Sequence, residues 1–331
     1  MKLNKKNLLV LCLSVVLLTF GACAPTGIEP DVTTDVNETT KNTESIGTTK
    51  ETTTNNTTST AAVTEQGADE ETIMNEFDAL IGKADVTFQE ISEFALEYIG
   101  ELSADNASVM VLTMEDYMKE HLTEMEEVFN SQTVQETFFK DFSEKTDLND
   151  PDDFDDEKIK ELIVETKEKG YKVDHGEGMA YPVIDYSYLK AFNEYATPEI
   201  RDYIDIMAVE SDQAFAKDAA LIIGWDEVVN RALSLENYLD EYDLSDRTQD
   251  IGTLYNRYVY ITLSGLDNTP LFDHETKVMK EEAKAAYEEA IKDNTESEYL
   301  TMLTEYMELL QKNEYKLSEE INTYRLDKTK A

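Results

Sequence analysis

Cysteine is almost absent from this chain. The 331 residues contain two, Cys12 and Cys23, and both precede the first stretch with regular apolar spacing. A folded part without cysteine has no disulfide, thiolate nucleophile, iron–sulfur cluster or cysteine-ligated zinc, so its stability rests on buried surface. Glycine is scarce as well. Of the 12 glycines, Gly21, Gly27, Gly47 and Gly67 precede residue 69, and the remainder is less than half of the usual ~7% usage, which argues for helices. Pro151, Pro182, Pro198 and Pro270 are the prolines of the same part, each where the apolar pattern changes. There is no P-loop, dinucleotide-binding glycine fingerprint or Gly-x-Ser-x-Gly elbow. His121, His175 and His274 lie far apart and none follows a glutamate by three residues, so zinc-protease and di-iron helices are absent too. The alternating strands and helices of α/β solute-binding proteins are also missing.

What is present begins at the N-terminus. Lys2, Lys5 and Lys6 precede an apolar run from Leu8 to Phe20, and Leu18-Thr19-Phe20-Gly21-Ala22-Cys23 follows. The run of about 13 residues is shorter than the ~20 of a membrane span, and its basic flank and small-residue end fit a cleaved leader. Cleavage before Cys23 places Pro25 downstream of the scissile bond. This stretch resembles the signal peptide and lipobox of bacterial lipoproteins, with Phe20 where that pattern usually has leucine. The resemblance implies removal of residues 1–22 and lipidation of Cys23. It also implies location on the outer face of a Gram-positive membrane, with the lipid as membrane partner.

Residues 23–68 are rich in Thr, Asn and Ser, as in Thr52-Thr53-Thr54-Asn55-Asn56-Thr57-Thr58. Such a segment buries too little to offset chain entropy and is expected to be a disordered tether. As a coil it would span roughly 35 Å, and fully extended about 150 Å. Residues 69–331 are expected to form an acidic helical domain, with a subdivision near 170 left open.

The first helical region, about 70–102, carries Ile73, Phe77, Leu80, Ala84, Phe88, Ile91 and Tyr98 at three-or-four spacing. Thr87-Phe88-Gln89-Glu90 reads as a capping box that would divide it, and both the divided and undivided forms fit. Further helices are expected at about 107–130, 134–142, 152–169 and from Pro198. Beyond these the pattern gives 216–242, 247–265, 278–293, 296–313 and 318–326. Between Gly170 and Asp185 two extended pieces flank a glycine-bearing turn, so the fold class is mainly α, an irregular multi-helix domain with a minor β-hairpin near 171–184. Asp150-Pro151-Asp152-Asp153-Phe154-Asp155-Asp156-Glu157 offers clustered carboxylates, but its spacing fails the EF-hand pattern and suits a helix start instead. No metal and no cofactor is therefore assigned.

Three segments, Tyr181–Tyr186, Tyr203–Asp212 and Asp218–Glu227, together resemble uncharacterised helical lipoproteins of clostridia-like Gram-positive bacteria, over roughly residues 180–325. That resemblance implies a location and no activity. From the residues themselves, Tyr181, Asp185, Tyr186 and Tyr188 combine aromatic faces with an acid, a pattern that stacks on a sugar or peptide. Trp225 and Asp226, after Gly224, are the candidate opposite wall. The competing reading makes Val183, Ile184 and Trp225 core. The net charge of −42 disfavours nucleic acid and anionic headgroups. The expected role is non-catalytic binding or scaffolding toward an envelope component, peptide or small solute. The alternatives are an envelope-polymer hydrolase using paired carboxylates and a purely structural partner-docking protein.

Overall fold

Thr87 decides how the first helical region folds. Its hydroxyl accepts from the Glu90 amide at 3.2 Å while the Glu90 carboxylate accepts from the Thr87 amide at 2.9 Å. This reciprocal cap starts a new helix and divides the region in two. The computed structural model describes residues 66–329 apart from 141, 144, 244, 246 and 293–295. Cys23, the leader and nearly all of the 23–68 segment lie outside the described residues.

The elements run α1 (Gln66–Ile81), α2 (Phe88–Tyr98), α3 (Ala104–Phe129), α4 (Gln132–Phe138), α5 (Glu157–Glu168), β1 (Tyr171–Gly176) and β2 (Met179–Ile184). They continue as α6 (Tyr186–Leu189), α7 (Pro198–Asp212), β3 (Ala216–Lys217), β4 (Ala220–Leu221), α8 (Trp225–Glu241) and α9 (Thr248–Ser264). The chain ends with α10 (Glu281–Ala290), α11 (Glu298–Lys312) and α12 (Glu319–Lys328). The fold is mainly α with a minor antiparallel hairpin at 171–184. Among the described residues no helix is long and apolar enough to cross a membrane.

The central element of the first half is α3. Met110, Val111, Met114, Met118, Met125 and Phe129 are buried along one stripe of it, and the hairpin lies on that stripe. Gly170 makes the approach possible. It turns the chain out of α5 at φ +82°, and a Cβ there would sit 2.5 Å from Met118 Sδ and 2.7 Å from Phe88 Cε1. Only glycine satisfies both the left-handed backbone and the contact. Tyr171 then drives its ring into the core and donates its hydroxyl to the Met118 carbonyl at 2.7 Å.

The hairpin is antiparallel with Tyr171 opposite Ile184 and Gly176 opposite Met179. Glu177 and Gly178 both have positive φ, as a tight primed turn requires. Its free edges are closed by side-chain amides. Asn149 accepts from the Val173 amide at 2.8 Å and donates to the Val173 carbonyl at 2.9 Å. Gln135 does the same for Ala180, at 2.9 and 2.7 Å. Each amide stands in for one residue of a third strand.

The second half is built on α8, which packs against α9 and α10. Its core is tyrosine-rich, and three of the buried rings find a backbone or hydroxyl partner. Tyr287 donates to the Thr262 carbonyl at 2.8 Å, Tyr306 to the Leu263 carbonyl at 2.9 Å, and the Tyr299 hydroxyl lies 2.7 Å from Thr262 Oγ1. Gly265 ends α9 at φ +73°, where a Cβ would meet the Leu271 amide and Thr269 carbonyl at 2.4 Å.

Two expectations are corrected. The helix at 216–242 begins at Trp225, because 216–221 forms a second small hairpin, β3–β4, turning through Asp218 and Ala219 at φ 51° and 56°. Asp218 accepts from the Glu177 amide at 2.7 Å and the Ala219 carbonyl from the Asn268 amide at 2.9 Å. Asn268 also donates its side-chain amide to the Asp218 carbonyl, so the Asn268 contacts take backbone carbonyls a helix would have used. The helix at 152–169 begins at Glu157, where Asp156 caps it; Pro151 opens a separate single turn. Three carboxylates of the 150–157 run are occupied as turn and cap acceptors: Asp150 takes the Asp152 amide, Asp153 the Asp147 amide and Asp156 the Lys158 amide.

Candidate functional site

The sequence-predicted site residues do not converge. Tyr186 is buried at the start of α6 and points inward to Glu115 on α3. Tyr188 packs edge-on against Phe88 of α2, with ring centroids 5.6 Å apart. Tyr181 is half-buried on β2, opposite Asp174, and burial pushes its hydroxyl up to about 12. Asp185 lies 3.6 Å from the Lys172 ammonium. Trp225 is buried at the start of α8 and meets Tyr287 edge-on at 6.0 Å, while Asp226 is exposed in the same first turn, where a carboxylate suits the helix dipole. No hydrogen bond, ion pair or ring contact among the described residues joins Trp225 or Asp226 to the 181–188 segment. Ile184 and Trp225 are buried, as the packing reading has them.

Two charged clusters that the sequence reading passed over organise the region around α7. The first is closed. Glu115 is 0% exposed, and its Oε1 accepts from the Tyr186 hydroxyl at 2.7 Å and the Tyr203 hydroxyl at 2.5 Å, with Lys119 Nζ at 2.8 Å. Arg247 Nη2 lies 2.9 Å from the other oxygen and also binds Asp116. The Arg247 guanidinium stands over the Tyr203 ring at 5.5 Å. Burial, reinforced by the negative Glu115, pushes both tyrosine hydroxyls far above their ordinary range, so they remain donors. The contact at Oε2 is an ion pair without hydrogen-bond alignment, and Arg247 Nε is also buried without a hydrogen-bond partner. This cluster ties α3, α6, α7 and the start of α9 together.

The second cluster forms the end wall of an open cleft of about 390 Å³ between α7 and α8. Arg231 is 5% exposed. Its Nε donates to Glu227 at 2.8 Å, one turn earlier on α8, and its Nη1 donates to the Gln213 carbonyl at 2.9 Å. Nη1 also stands 3.4 Å from Glu210, which accepts from the Tyr258 hydroxyl at 2.6 Å. Burial raises the Glu210 carboxyl above its ordinary range despite these two partners. The third nitrogen, Nη2, makes no hydrogen bond with a described residue and is not sealed from the cleft that Arg231 lines. Ile206, Val209 and Leu235 form the apolar part of the cleft, with Val209 44% exposed. Tyr238 and Tyr242, with centroids 5.0 Å apart, close one end. Asp202, Asp205 and Glu241 bring carboxylates to the lining; Asp202 accepts from the Tyr242 hydroxyl at 2.8 Å and Asp205 meets Lys190 at 3.0 Å.

Chemically, the cleft offers apolar and aromatic surface, one partly satisfied guanidinium and several carboxylates. Glu210 and Glu227 are the carboxylate pair nearest to an acid/base arrangement. Arg231 contacts both, and Glu210 is also taken up by the Tyr258 hydroxyl. Among the described residues no group of three His, Cys, Asp or Glu side chains is placed to hold a metal ion. The signal that could have found the cleft is the i,i+4 pair Glu227–Arg231 on a face that also carries Ser234 and Tyr238, against a chain whose arginines are only Arg201, Arg231, Arg247, Arg257 and Arg325. Comparison of the chain with protein-family models, with curated proteins and with solved structures found no match.

Proposed function

We propose that this chain is a lipid-anchored protein of the outer face of a Gram-positive membrane, tethered through Cys23, and that its folded part binds an envelope component, peptide or small solute without catalysis in the α7–α8 cleft. The observation that carries the binding reading is the cleft itself. Its volume of about 390 Å³ falls in the range of ligand sites, roughly 300–1,000 Å³, and it pairs apolar surface with a few directed polar groups. The lysine-tipped apolar leader and Leu18–Cys23 support the anchor. A hydrolase would need two carboxylates free to meet a substrate, and the engagement of Glu210 by Tyr258 and Arg231 and of Glu227 by Arg231 favours binding over that alternative.

Two measurements test the reading. Cys23→Ala is expected to move the protein from the membrane fraction to the medium or to leave uncleaved precursor; normal maturation and normal partition into detergent would refute the anchor. For the cleft, the full chain is recovered from its own membranes with whatever it holds. The same capture is then made with Ser234→Arg, which fills the cleft from an exposed position. Loss of the captured component in the variant supports the cleft, and its retention overturns it.

A further inference from the structure

Arg231 is the feature of the cleft that its own fold leaves unfinished. A guanidinium has five N–H donors in a fixed plane, and here Nε and Nη1 are committed to Glu227, Gln213 and Tyr258. With 5% of the residue exposed, the remaining nitrogen is a part of the guanidinium still open to the cleft. A charged donor that its own fold leaves without a partner gains from an acceptor delivered by a ligand. A polyamine or a bare cation has no acceptor to give. The rest of the lining sets a second requirement. Asp202, Asp205 and Glu241 repel a carboxylate-rich ligand and attract an ammonium or guanidinium, while Val209, Leu235 and Tyr238 offer it an apolar bed.

We propose that the α7–α8 cleft takes a peptide segment bearing lysine or arginine, with a peptide carbonyl accepting from Arg231 Nη2 and the side-chain cation seated among Asp202, Asp205 and Glu241. The alkyl stem of such a side chain lies on Val209 and Leu235, as long cationic side chains do on apolar surface. A peptide supplies carbonyl, stem and cation in one extended unit. The proposal rests on the binding role assigned to the cleft above and adds the ligand class. Charge reinforces the choice, because a chain of net −42 draws cationic peptides toward it from solution before any contact forms.

The test is calorimetric titration of the full chain in detergent with three probes: acetyl-Ala-Lys-Ala-Lys-amide, the same peptide with norleucine for lysine, and spermidine. The lysine peptide is expected to bind at least about tenfold more tightly than either other probe, since one lacks the cation and the other the acceptor. Its affinity should fall as salt rises. Ser234→Arg brings a competing guanidinium into the cleft and is expected to abolish that binding with unchanged melting temperature. Glu241→Lys, at an exposed lining position, serves in its place if the first variant does not fold. Spermidine binding as tightly as the lysine peptide, or peptide binding undiminished by both variants, overturns the proposal. Absence of lysine-peptide binding, while Ser234→Arg still abolishes capture of the native component, overturns the ligand class and leaves the cleft standing. Retention of that capture removes both.

Discussion

At the scale of single residues, Tyr186 shows how a side chain that reads as surface recognition becomes part of a buried charge network. Its ring covers core and its hydroxyl is one of two that donate to the single oxygen Glu115 Oε1. A hydrogen bond to a charged group contributes about 1.5–3 kcal/mol, so Tyr186→Phe is expected to cost roughly that in urea unfolding. Cleft binding should be unaffected. A stability loss below ~0.5 kcal/mol would show that the network does not depend on this hydroxyl. Glu115→Gln should cost more, about 3–5 kcal/mol, because the largely buried Arg247 would face an uncharged amide. Sequence gave no sign of Glu115 among 71 acids, since its spacing on α3 marks only the border of an apolar stripe. What distinguishes it is burial, which comes from α6 and α7 folding over it from 71 and 88 positions away. Arg231 and Arg247 were more accessible to reading, because arginine is the scarce cation here and is the side chain most able to neutralise a buried carboxylate.

At the scale of elements, the hairpin β1–β2 is the clearest case of an isolated motif that needs its surroundings. Two strands alone are marginal in water, and this pair is completed by Asn149 and Gln135, each making both backbone hydrogen bonds of one edge residue. Replacing either amide by alanine leaves one N–H and one C=O without their partners. Asn149→Ala and Gln135→Ala are each expected to cost about 1–3 kcal/mol, and the cost should remain with the isosteric Asn149→Asp, which keeps the acceptor and loses the donor. Hydrogen exchange at Val173 and Ala180 reads the effect locally, and unchanged protection there would remove the edge-closing role. The hairpin itself was legible, since Gly170, the Glu177-Gly178 turn and alternating apolar residues announce it. The β3–β4 hairpin was not. Its turn residues, Asp218 and Ala219, carry no glycine, its apolar residues resemble a helix start, and the groups that hold it come from Glu177 and Asn268. The Thr87–Glu90 box was legible as a motif, yet choosing between one helix and two required seeing both hydrogen bonds made.

At the scale of the whole molecule, charge is the quantity most out of balance. Even if each of the 29 lysines and arginines paired with one acid, most of the 71 aspartates and glutamates would have no cation. Local ion pairs such as Lys292–Glu289 and Lys312–Glu320 are exposed and contribute little. The global term is repulsion among like charges, which acts over longer distances and destabilises the compact state. Added salt therefore weakens two opposing effects, and the larger one here is repulsion. Raising sodium chloride from about 0.01 to 0.15 M shortens the screening length from roughly 30 to 8 Å, and the melting temperature is expected to rise. Tetramethylammonium chloride should act equally, because screening depends on ionic strength and not on the identity of the cation. A melting temperature that falls with salt would mean that the specific ion pairs, Glu115–Arg247 and Glu210–Arg231 foremost, outweigh the net field. A rise confined to one cation would mean that the acids hold that ion at a defined place. Asp212 gives the same balance a pH signature. Burial works against its charge, but hydrogen bonds from Lys172 and Ser187 outweigh it and hold the carboxyl below its ordinary value. Its contribution is thus present above the unfolded aspartate value of about 3.9 and is lost as pH falls through the folded one. Asp212→Asn should lower the melting temperature at pH 7, by an amount that shrinks toward zero as the solution is acidified past that point. A difference independent of pH would assign the loss to packing rather than to charge.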